Sequence, residues 1–325
     1  MTESAVHPRE SLPLDATPLD ATLLGAAPLG AGPLDTTPLD TTAQLLSRIT
    51  DQLGTQLSHV TRNGTRRRMP PTERPTLVAV AHGSRDPRAL RTATALLDLV
   101  RELRPSLDVR LGHIELNEPL LPDTLAALHT ERRAQGTRAV LVPLLLGRGH
   151  HVKHDLPAAA AALSAADIRI AAPLGPHPLL VEALCSRLAD AGWRPEDGTS
   201  RSAGVVLAAA GSRDPDSASD TRRMADMLSE RLGGVPVVPA YASAVAPTVP
   251  AAVRALTARG RHRIAVASYF VCPGQFATAS AAATPWIAAA PLGAHPALAR
   301  LLLQRYDEAL STPAYAAQRR ELATA

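Results

Sequence analysis

One phrase occurs twice in this chain, and it constrains the fold more than any other feature. The letters AHGSRDP at 81–87 follow a short apolar run, and AAGSRDP at 209–215 follows a similar one. An apolar run that stops at a tight polar turn and then continues as a helix is typical of a buried parallel strand. The repeat therefore predicts two copies of one α/β unit, each with a polar turn where its first strand ends.

The remainder of each copy alternates predicted strands and helices. In the first copy the strands fall at 77–81, 109–115, 139–145 and 168–172, and the helices at 88–103, 119–135, from Asp155 with Pro157 just inside, and from about His177. The second copy repeats these signals at 241–247, 265–274 and 291–296, with fewer residues between the last two. Strands joined by helices form parallel sheets through right-handed crossovers. We predict two tandem lobes, each a small parallel sheet flanked by helices, and a second copy that has lost most of one turn and helix.

The repeat also divides the chain into segments. We place a first lobe, which carries the chemistry, at 73–197 and a degenerate second lobe at 198–312. Residues 1–72 contain short PLDAT and PLDTT repeats without helical or alternating periodicity. Such a segment buries too little surface to offset chain entropy, so we expect a disordered tail, followed at the other end by a C-terminal tail at 313–325.

Composition narrows the class of protein. Aromatic residues make up 2% of the chain, which disfavours nucleic-acid binding by base stacking. The sequence lacks an apolar stretch of membrane-spanning length and a secretory leader pattern, and its 2 cysteines form no CxxC pair. The net charge of +4 comes from arginine, and we attribute it to general residue usage. We therefore expect a cytoplasmic protein with neither a nucleic-acid nor a membrane partner.

The duplication supplies an internal control, because each residue of one copy has a counterpart in the other. Elements kept in both copies, such as the GSRDP turn, are expected to be structural or anion-binding. Imidazoles and carboxylates found only in the first copy include six beside the predicted strand ends: His82, Glu115, Glu118, His150, His151 and His154. Their counterparts are Ala210, Ser243, Ala246, Gln275, Phe276 and Ala279. The first copy alone is therefore expected to carry chemistry.

Three of these residues follow different predicted strands. His82 ends the first strand, Glu115 ends the second, and His151 lies in the loop after the third. Carboxyl ends of parallel strands meet at one crevice, where two imidazoles and a carboxylate suit a divalent metal with open positions. Neutral imidazole also accepts protons near pH 7. The alternative is that each histidine is a hydrogen-bonded structural residue, which is common for a single His at a strand end.

Other polar residues have weaker signals. His113 shares a strand face with Glu115 and is left as a possible neighbour, whereas His150 and His154 are expected to be exposed. His177 and His295 occur in both copies and are expected to pack in turns. The segment from Gly83 through Ser84 and Arg85 precedes a helix and predicts an anion cradle. No nucleophile elbow, GxxxxGK[ST] or GxGxxG motif occurs in the sequence.

Three motifs together resemble one family. AHGSRDP at 81–87, IELNEP at 114–119 and GxHxxxDLP at 149–157 are similar to motifs of the sirohydrochlorin chelatases, the ATP-independent chelatases of siroheme and cobalamin synthesis. The similarity extends over about residues 75–310 and corresponds to the long, two-domain form. It implies that His82 and His151 are catalytic and bind metal with Glu115, and that Ser84, Arg85 and Arg148 contact substrate carboxylates.

The resemblance also implies an activity. It would be a lyase that inserts Fe2+, or alternatively Co2+, into sirohydrochlorin, an octacarboxylate tetrapyrrole, with the metal as substrate and no tightly bound cofactor. Short relatives dimerise to form their cleft, whereas this chain contains both lobes, so we expect a monomer with one active site. Two further alternatives remain open: a non-catalytic metal or tetrapyrrole carrier, and phosphate-ester binding at both GSRD turns.

Overall fold

The computed structural model describes residues 74–132, 136–163, 166–243 and 245–312. The two tails predicted at 1–72 and 313–325 lie outside these residues. No helix within the described ranges is long and apolar enough to cross a bilayer.

The first half folds around a parallel sheet of four strands, and the loops that contain His82 and His151 follow the carboxyl ends of its two central strands. The strands are β1 (Thr76–Ala81), β2 (Val109–His113), β3 (Arg138–Pro143) and β4 (Asp167–Ile170), in the order β2-β1-β3-β4. Residues 76–80 of β1 are fully buried, because helices cover both faces of the sheet. Since β1 lies between β2 and β3, the order in which the strands are added reverses beside β1, and open α/β sheets place ligands at such a point.

Helices of the first half follow each strand as predicted. They are α1 (Pro87–Leu103), α2 (Leu121–Glu131), a π-helical turn (His151–Asp155), α3 (Leu156–Ala161) and α4 (Pro178–Asp190). The α1 helix begins where the Asp86 carboxylate accepts the N–H of Arg88, with Pro87 at its first position. Its buried face, which includes Ala93, Leu96 and Val100, has the spacing of an amphipathic helix.

The second half repeats this architecture. Its strands are β5 (Ala203–Ala209), β6 (Val237–Tyr241), β7 (Arg263–Ser268) and β8 (Ile287–Ala288), in the order β6-β5-β7-β8, and all pair in parallel. Its helices are α5 (Pro215–Arg231), α6 (Val249–Ala258), α7 (Gln275–Ala282) and α8 (Pro296–Ser311). The predicted fold class of two tandem parallel-sheet units is confirmed.

One prediction about the second copy is wrong. The shorter spacing before residue 291 does not remove a helix, because α7 still has 8 residues. In the first half the π-helical turn and α3 have 5 and 6 residues. The missing length is divided among this shorter helix, the connections around it and β8, which has 2 residues where β4 has 4. A spacing difference reveals a deletion but does not show which element absorbs it.

The last helix of each half packs against the other half. Helix α4 contacts β7 and α5 of the second half, and α8 contacts β3 and α1 of the first. One apolar cluster accordingly includes Leu77, Leu184, Leu207 and Leu302, which come from both sheets and both exchanged helices. The two halves therefore share this core, and each half also buries a smaller apolar cluster of its own.

Matching hydrogen bonds secure this exchange on both sides. The Arg187 guanidinium on α4 donates to the Leu292 carbonyl at 2.9 Å, and the Arg305 guanidinium on α8 donates to the Leu174 carbonyl at 3.2 Å. The hydroxyl of Tyr306 on α8 donates to the Pro75 carbonyl at 2.6 Å, just before β1. The exchange fixes the relative position of the two sets of strand-end loops.

Candidate active site

His82 lies where β1 leaves the sheet. The chain turns at Gly83, whose φ of 103° lies in the left-handed region that glycine tolerates. A Cβ on Gly83 would overlap the Glu115 carbonyl oxygen, so the turn packs directly on the loop after β2. The Glu115 N–H donates to the His82 carbonyl at 3.0 Å. The backbone therefore holds His82 and Glu115 side by side.

The same backbone geometry is present in the second half without these side chains. Gly211 has a φ of 92°, and a Cβ there would overlap the Ser243 carbonyl oxygen. The Ser243 N–H donates to the Ala210 carbonyl at 3.0 Å, just as in the first half. The glycine is thus required by close backbone approach in both halves, whereas the imidazole and the carboxylate are not required by the fold.

The side chains of His82 and Glu115 approach without forming a hydrogen bond. His82 Nδ1 lies 3.6 Å from Glu115 Oε1, and the two side chains are 43% and 54% exposed. The Asn117 side-chain oxygen accepts the Ser84 N–H at 2.6 Å and ties the two loops together. Both groups therefore remain accessible to a ligand while their loops are fixed.

His151 begins the π-helical turn that follows β3. Its Nδ1 lies 2.5 Å from Asp155 Oδ2. Because an ionised carboxylate only accepts hydrogen bonds, this contact assigns the proton to Nδ1 and leaves the Nε2 lone pair for a ligand. A carboxylate that orients an imidazole in this way is a common feature around metal-binding histidines.

The sequence predicts a helix that starts at Asp155 with Pro157 just inside it, and this start is confirmed. Helix α3 begins at Leu156, directly after the π-helical turn, and the Asp155 side chain makes no capping hydrogen bond. Its carboxylate is occupied by His151 Nδ1 instead. An Asp shortly before a Pro is typical of a helix start. Here the carboxylate of that Asp bonds to the ring of a histidine four residues earlier.

The structure brings His82 and His151 into direct contact. Their ring centroids are 4.6 Å apart and their planes are perpendicular. Together with Glu115 they come from the carboxyl ends of three neighbouring strands, as the sequence predicts. Among the described residues, no three His, Cys, Asp or Glu side chains form a closed metal-ligand set. The arrangement is therefore an open group of two imidazoles and a nearby carboxylate.

Other first-half residues lie around this group. His150 and His154 are exposed, as expected, with ring centroids 4.6 Å apart, and His150 Nε2 is 4.0 Å from Asp155 Oδ1. Glu118 is exposed in the loop after β2. His150 lies beside the group, with its ring centroid 6.1 Å from that of His151.

Three other histidines singled out in the sequence make hydrogen bonds to the backbone. His113, predicted as a possible neighbour of the group, is buried in β2, and its Nδ1 donates to the Pro119 carbonyl at 3.2 Å. His177 and His295 begin α4 and α8, where each Nδ1 accepts a backbone N–H at 3.1 Å. Their expected role in turns is realised as helix capping, and burial lowers the pKa of both rings.

The predicted anion-binding residues have different surroundings. The Ser84 hydroxyl accepts the Asp86 N–H at 3.1 Å, and Asp86 caps α1, so a protein carboxylate already occupies that helix end. Arg85 is exposed and has no ion-pair partner in the part of the chain that the structure describes. Arg148 is engaged by Asp220 of the second half at 2.7 Å. Of the two predicted arginines, Arg85 is therefore the one whose guanidinium remains available.

Sequence reasoning missed two residues that support the site. Asp155 orients His151, and Asn117 links the loops that carry His82 and Glu115. The internal control contains a signal for both, because their second-half counterparts are Ser280 and Val245. A comparison limited to metal-ligating residue types does not single out an amide or a carboxylate already explained as a cap.

Known proteins share the sequence pattern of this chain. A sirohydrochlorin ferrochelatase of Bacillus subtilis is 30% identical over 175 residues, covering 53% of this chain and 64% of that protein. A sirohydrochlorin cobaltochelatase of Methanococcus aeolicus is 31% identical over 81 residues, covering 25% of this chain and 54% of that protein. The chain thus spans less than two thirds of the length of each of these relatives.

Solved structures share the fold. SirB from Bacillus subtilis with Fe3+ aligns with a TM-score of 0.58 and 24% identity, covering 73% of this chain and 96% of that chain. CbiX, described as the terminal enzyme for biosynthesis of siroheme in denitrifying bacteria, aligns with a TM-score of 0.54 and 22% identity over 73% of this chain and 100% of that chain. At these identities the likeness establishes the fold.

The family assignment rests on the duplicated sequence. The CbiX family model matches residues 76–191 and again residues 204–309, together more than half of the chain. The two matches coincide with the two sheets, and the resemblance to sirohydrochlorin chelatases inferred from the motifs is confirmed. The chain therefore belongs to the CbiX family.

Proposed function

We propose that this protein inserts a divalent metal, Fe2+, into sirohydrochlorin without consuming ATP. Insertion replaces two pyrrole N–H protons by one M2+ ion, so the products are the metallated tetrapyrrole and two protons. The reaction needs a site that releases a divalent ion and accepts protons at the same place. The contact between the His82 and His151 rings, 4.6 Å apart beside Glu115, is the observation that carries this proposal.

Each residue of the open group has a defined part. His151 presents Nε2 because Asp155 holds its Nδ1, and this lone pair binds the incoming metal or accepts a pyrrole proton. His82 supplies the second imidazole and Glu115 adds a negative charge that favours a divalent cation. Because the group is open, the ion exchanges its protein ligands for the four nitrogens of the ring.

The surroundings of the group suit a flat polyanion. Arg85 and its second-half counterpart Arg213 are exposed on equivalent turns, and guanidinium groups pair well with carboxylates. Leu116, next to Glu115, is 52% exposed, and Phe276, two residues after Gly274, is 43% exposed. A Cβ on Gly274 would contact the Ser84 hydroxyl, so Phe276 belongs to the neighbourhood of the His82 turn. These apolar groups favour contact with the macrocycle face.

Cobalt insertion is the second candidate function. The similar proteins include both a ferrochelatase and a cobaltochelatase. Imidazole and carboxylate ligands bind both Fe2+ and Co2+. Their relative affinities follow the general series of divalent metals rather than any feature of the site. A difference between the two metals would therefore appear in turnover rather than in whether the metal binds.

A steady-state assay with the full chain tests the proposal. Sirohydrochlorin and Fe2+, Co2+ or Ni2+ are mixed without oxygen, and insertion is followed through the absorption spectrum of the tetrapyrrole. His82→Ala and His151→Ala should each lower kcat/KM by about 10²- to 10⁴-fold. His262→Ala, an exposed histidine of the second half, is the matched control and should retain full activity.

The outcomes separate the alternatives. Undiminished insertion in both histidine variants would remove the proposed mechanism. Tight one-to-one retention of metal without turnover by the wild-type chain would favour a carrier instead. Turnover with Co2+ well above that with Fe2+ would assign the cobalt reaction.

A further inference from the structure

The loops of the two halves meet at two equivalent junctions that differ in charge. A Cβ on Gly149 would contact the Ser212 hydroxyl, and a Cβ on Gly274 would contact the Ser84 hydroxyl. Each loop after the third strand of one half therefore lies beside the GSRDP turn of the other. Only the Gly149 junction carries a histidine of the open group, because the residue two positions later is His151 there and Phe276 at the other junction.

On the N-terminal side of His151, an arginine of the Gly149 junction forms an ion pair with the second half. The Arg148 Nη2 and Nε donate to the two carboxylate oxygens of Asp220 at 2.7 and 3.0 Å, and the Arg148 backbone N–H donates to Asp220 at 3.1 Å. Asp220 lies on α5 and is buried. A buried carboxylate that loses its partner is strongly unfavourable, so this contact pins the backbone just before the π-helical turn.

On the C-terminal side of His151, a lysine also forms ion pairs with the second half. Lys153, the only lysine in the sequence, lies 2.6 Å from Asp214 and 2.9 Å from Asp216 at the start of α5. The Lys153 ammonium also lowers the pKa of the Asp214 carboxyl. The turn that carries His151 is thus attached to α5 at residues on both sides of the histidine.

The equivalent junction has none of these charge pairs. Arg148 and Lys153 correspond to Pro273 and Thr278, and Asp216 and Asp220 correspond to Arg88 and Thr92. Arg88 pairs within its own half, with Asp86 at 2.7 Å. Of the acidic partners, only Asp214 has an acidic counterpart, Asp86; the two basic residues, Asp216 and Asp220 are found only at the junction that carries His151.

We propose that the second half positions His151 through the ion-pair cluster formed by Arg148, Lys153, Asp214, Asp216 and Asp220. The π-helical turn is an uncommon geometry, and holding it from both sides keeps the His151 ring facing His82. Asp216 and Asp220 act as positioning residues, since they contact the turn and not the ligand. The catalytic consequence rests on the proposed function, whereas the effect on the turn does not.

The test compares Asp220→Asn with Asp307→Asn in the full chain. Asp307 on α8 also forms a two-point ion pair between the halves, with Arg104 at 2.8 Å, but far along the chain from the site loops. Asp216→Asn, at a half-exposed position, is a milder second variant that retains the fold if Asp220→Asn does not. Two readouts are taken: hydrogen exchange at the Lys153 and Leu156 amides, which bond within the turn, and steady-state insertion.

Asp220→Asn should raise exchange at these two amides by at least about tenfold and lower kcat by about tenfold to a hundredfold, with KM changed by less than about twofold. Asp216→Asn should shift both readouts in the same direction by less, and Asp307→Asn should shift neither. Unchanged exchange in Asp220→Asn overturns the proposal, as does faster exchange without a fall in kcat. If the wild-type chain inserts no metal, the proposed function fails, and the exchange result alone decides whether the cluster holds the turn.

Discussion

The two halves have the same backbone at their first strand end but different chemistry. Gly83 and Gly211 approach the same carbonyl position, and the hydrogen bond across the turn has the same length in both halves. His82 in one half is Ala210 in the other. The fold is therefore stable without the histidine. Within this duplication, the architecture of the first strand end does not explain the histidine that only one copy retains there.

The second half has a different contribution. Its last helix packs on the first sheet, and its α5 helix supplies the acidic residues that contact the His151 turn. A half that lacks these imidazoles thus packs against the half that has them and contacts its site loop. The comparison predicts large stability effects shared by both halves, and large losses of activity only from changes that disturb the group formed by His82, Glu115 and His151.

The largest expected effect concerns the exchanged helices. Leu184 on α4 and Leu302 on α8 are equivalent and buried. Replacing either with Ala should lower the free energy of unfolding by about 2–5 kcal/mol, because each leaves a cavity in the shared core. Thermal unfolding should show one transition for residues of both halves in wild type and in both variants. Two separate transitions would mean that the halves are independent.

The next effect separates the halves by activity. Asp155→Asn should lower kcat by about tenfold to a hundredfold, because the amide no longer fixes the His151 tautomer. Ser280→Ala, the equivalent change in the second half, removes a buried hydroxyl that has no hydrogen-bond partner in the described structure, and should leave kcat unchanged. Equal losses in the steady-state insertion assay would contradict a single active half.

A smaller effect tests whether the pseudo-symmetry extends to the substrate. Arg85→Gln and Arg213→Gln should each raise KM for sirohydrochlorin by about twofold to fivefold, the range for exposed ion pairs. The increase should shrink at high salt, because exposed charges are screened. An effect in Arg85→Gln alone would show that only the first half contacts the carboxylates.

The smallest effect concerns the two helix caps. Hydrogen bonds from the Arg88 side chain lower the pKa of Asp86 to about 2. Because this pKa is lowered, the stabilisation that the ionised Asp86 carboxylate provides is complete above the ordinary carboxyl pKa. It is lost as the pH falls through about 2. Asn retains the cap, so the Tm of Asp86→Asn should lie below wild type at neutral pH and converge with it in strong acid.

The equivalent cap sharpens the same comparison. Asp214 owes its lowered pKa first to Lys153 of the other half. Lys153→Gln should therefore reduce the change in Tm that Asp214→Asn causes. It should leave unchanged the change in Tm that Asp86→Asn causes. Thermal unfolding of Lys153→Gln/Asp214→Asn and Lys153→Gln/Asp86→Asn checks this. An equal effect of Lys153→Gln on the Tm change at both caps would contradict it.

Local sequence signals predicted the fold well. The first strand and the first helix begin within one residue of their predicted positions, because apolar runs, Asp-Pro starts and glycine turns act over short distances. The exchange of α4 and α8 was not predictable in this way. Apolar periodicity shows which helix face is buried and not which sheet covers it.

The site was predicted in part for the same reason. The strand ends placed His82, Glu115 and His151 together, since parallel strands align their carboxyl ends. Arg148 was expected to contact substrate, yet its partner Asp220 lies 72 residues away and no short-range pattern links them. Asp155 fits a helix start in sequence, and only the structure shows its bond to His151.

Titration of the full chain with Co2+, followed by its visible absorption, tests the central claim most directly. The account predicts one equivalent per chain, with a spectrum that is lost in His82→Ala and in His151→Ala and retained in His262→Ala. Two equivalents per chain, or an unchanged spectrum in a His82→Ala/His151→Ala double variant, would contradict a single metal site in the first half.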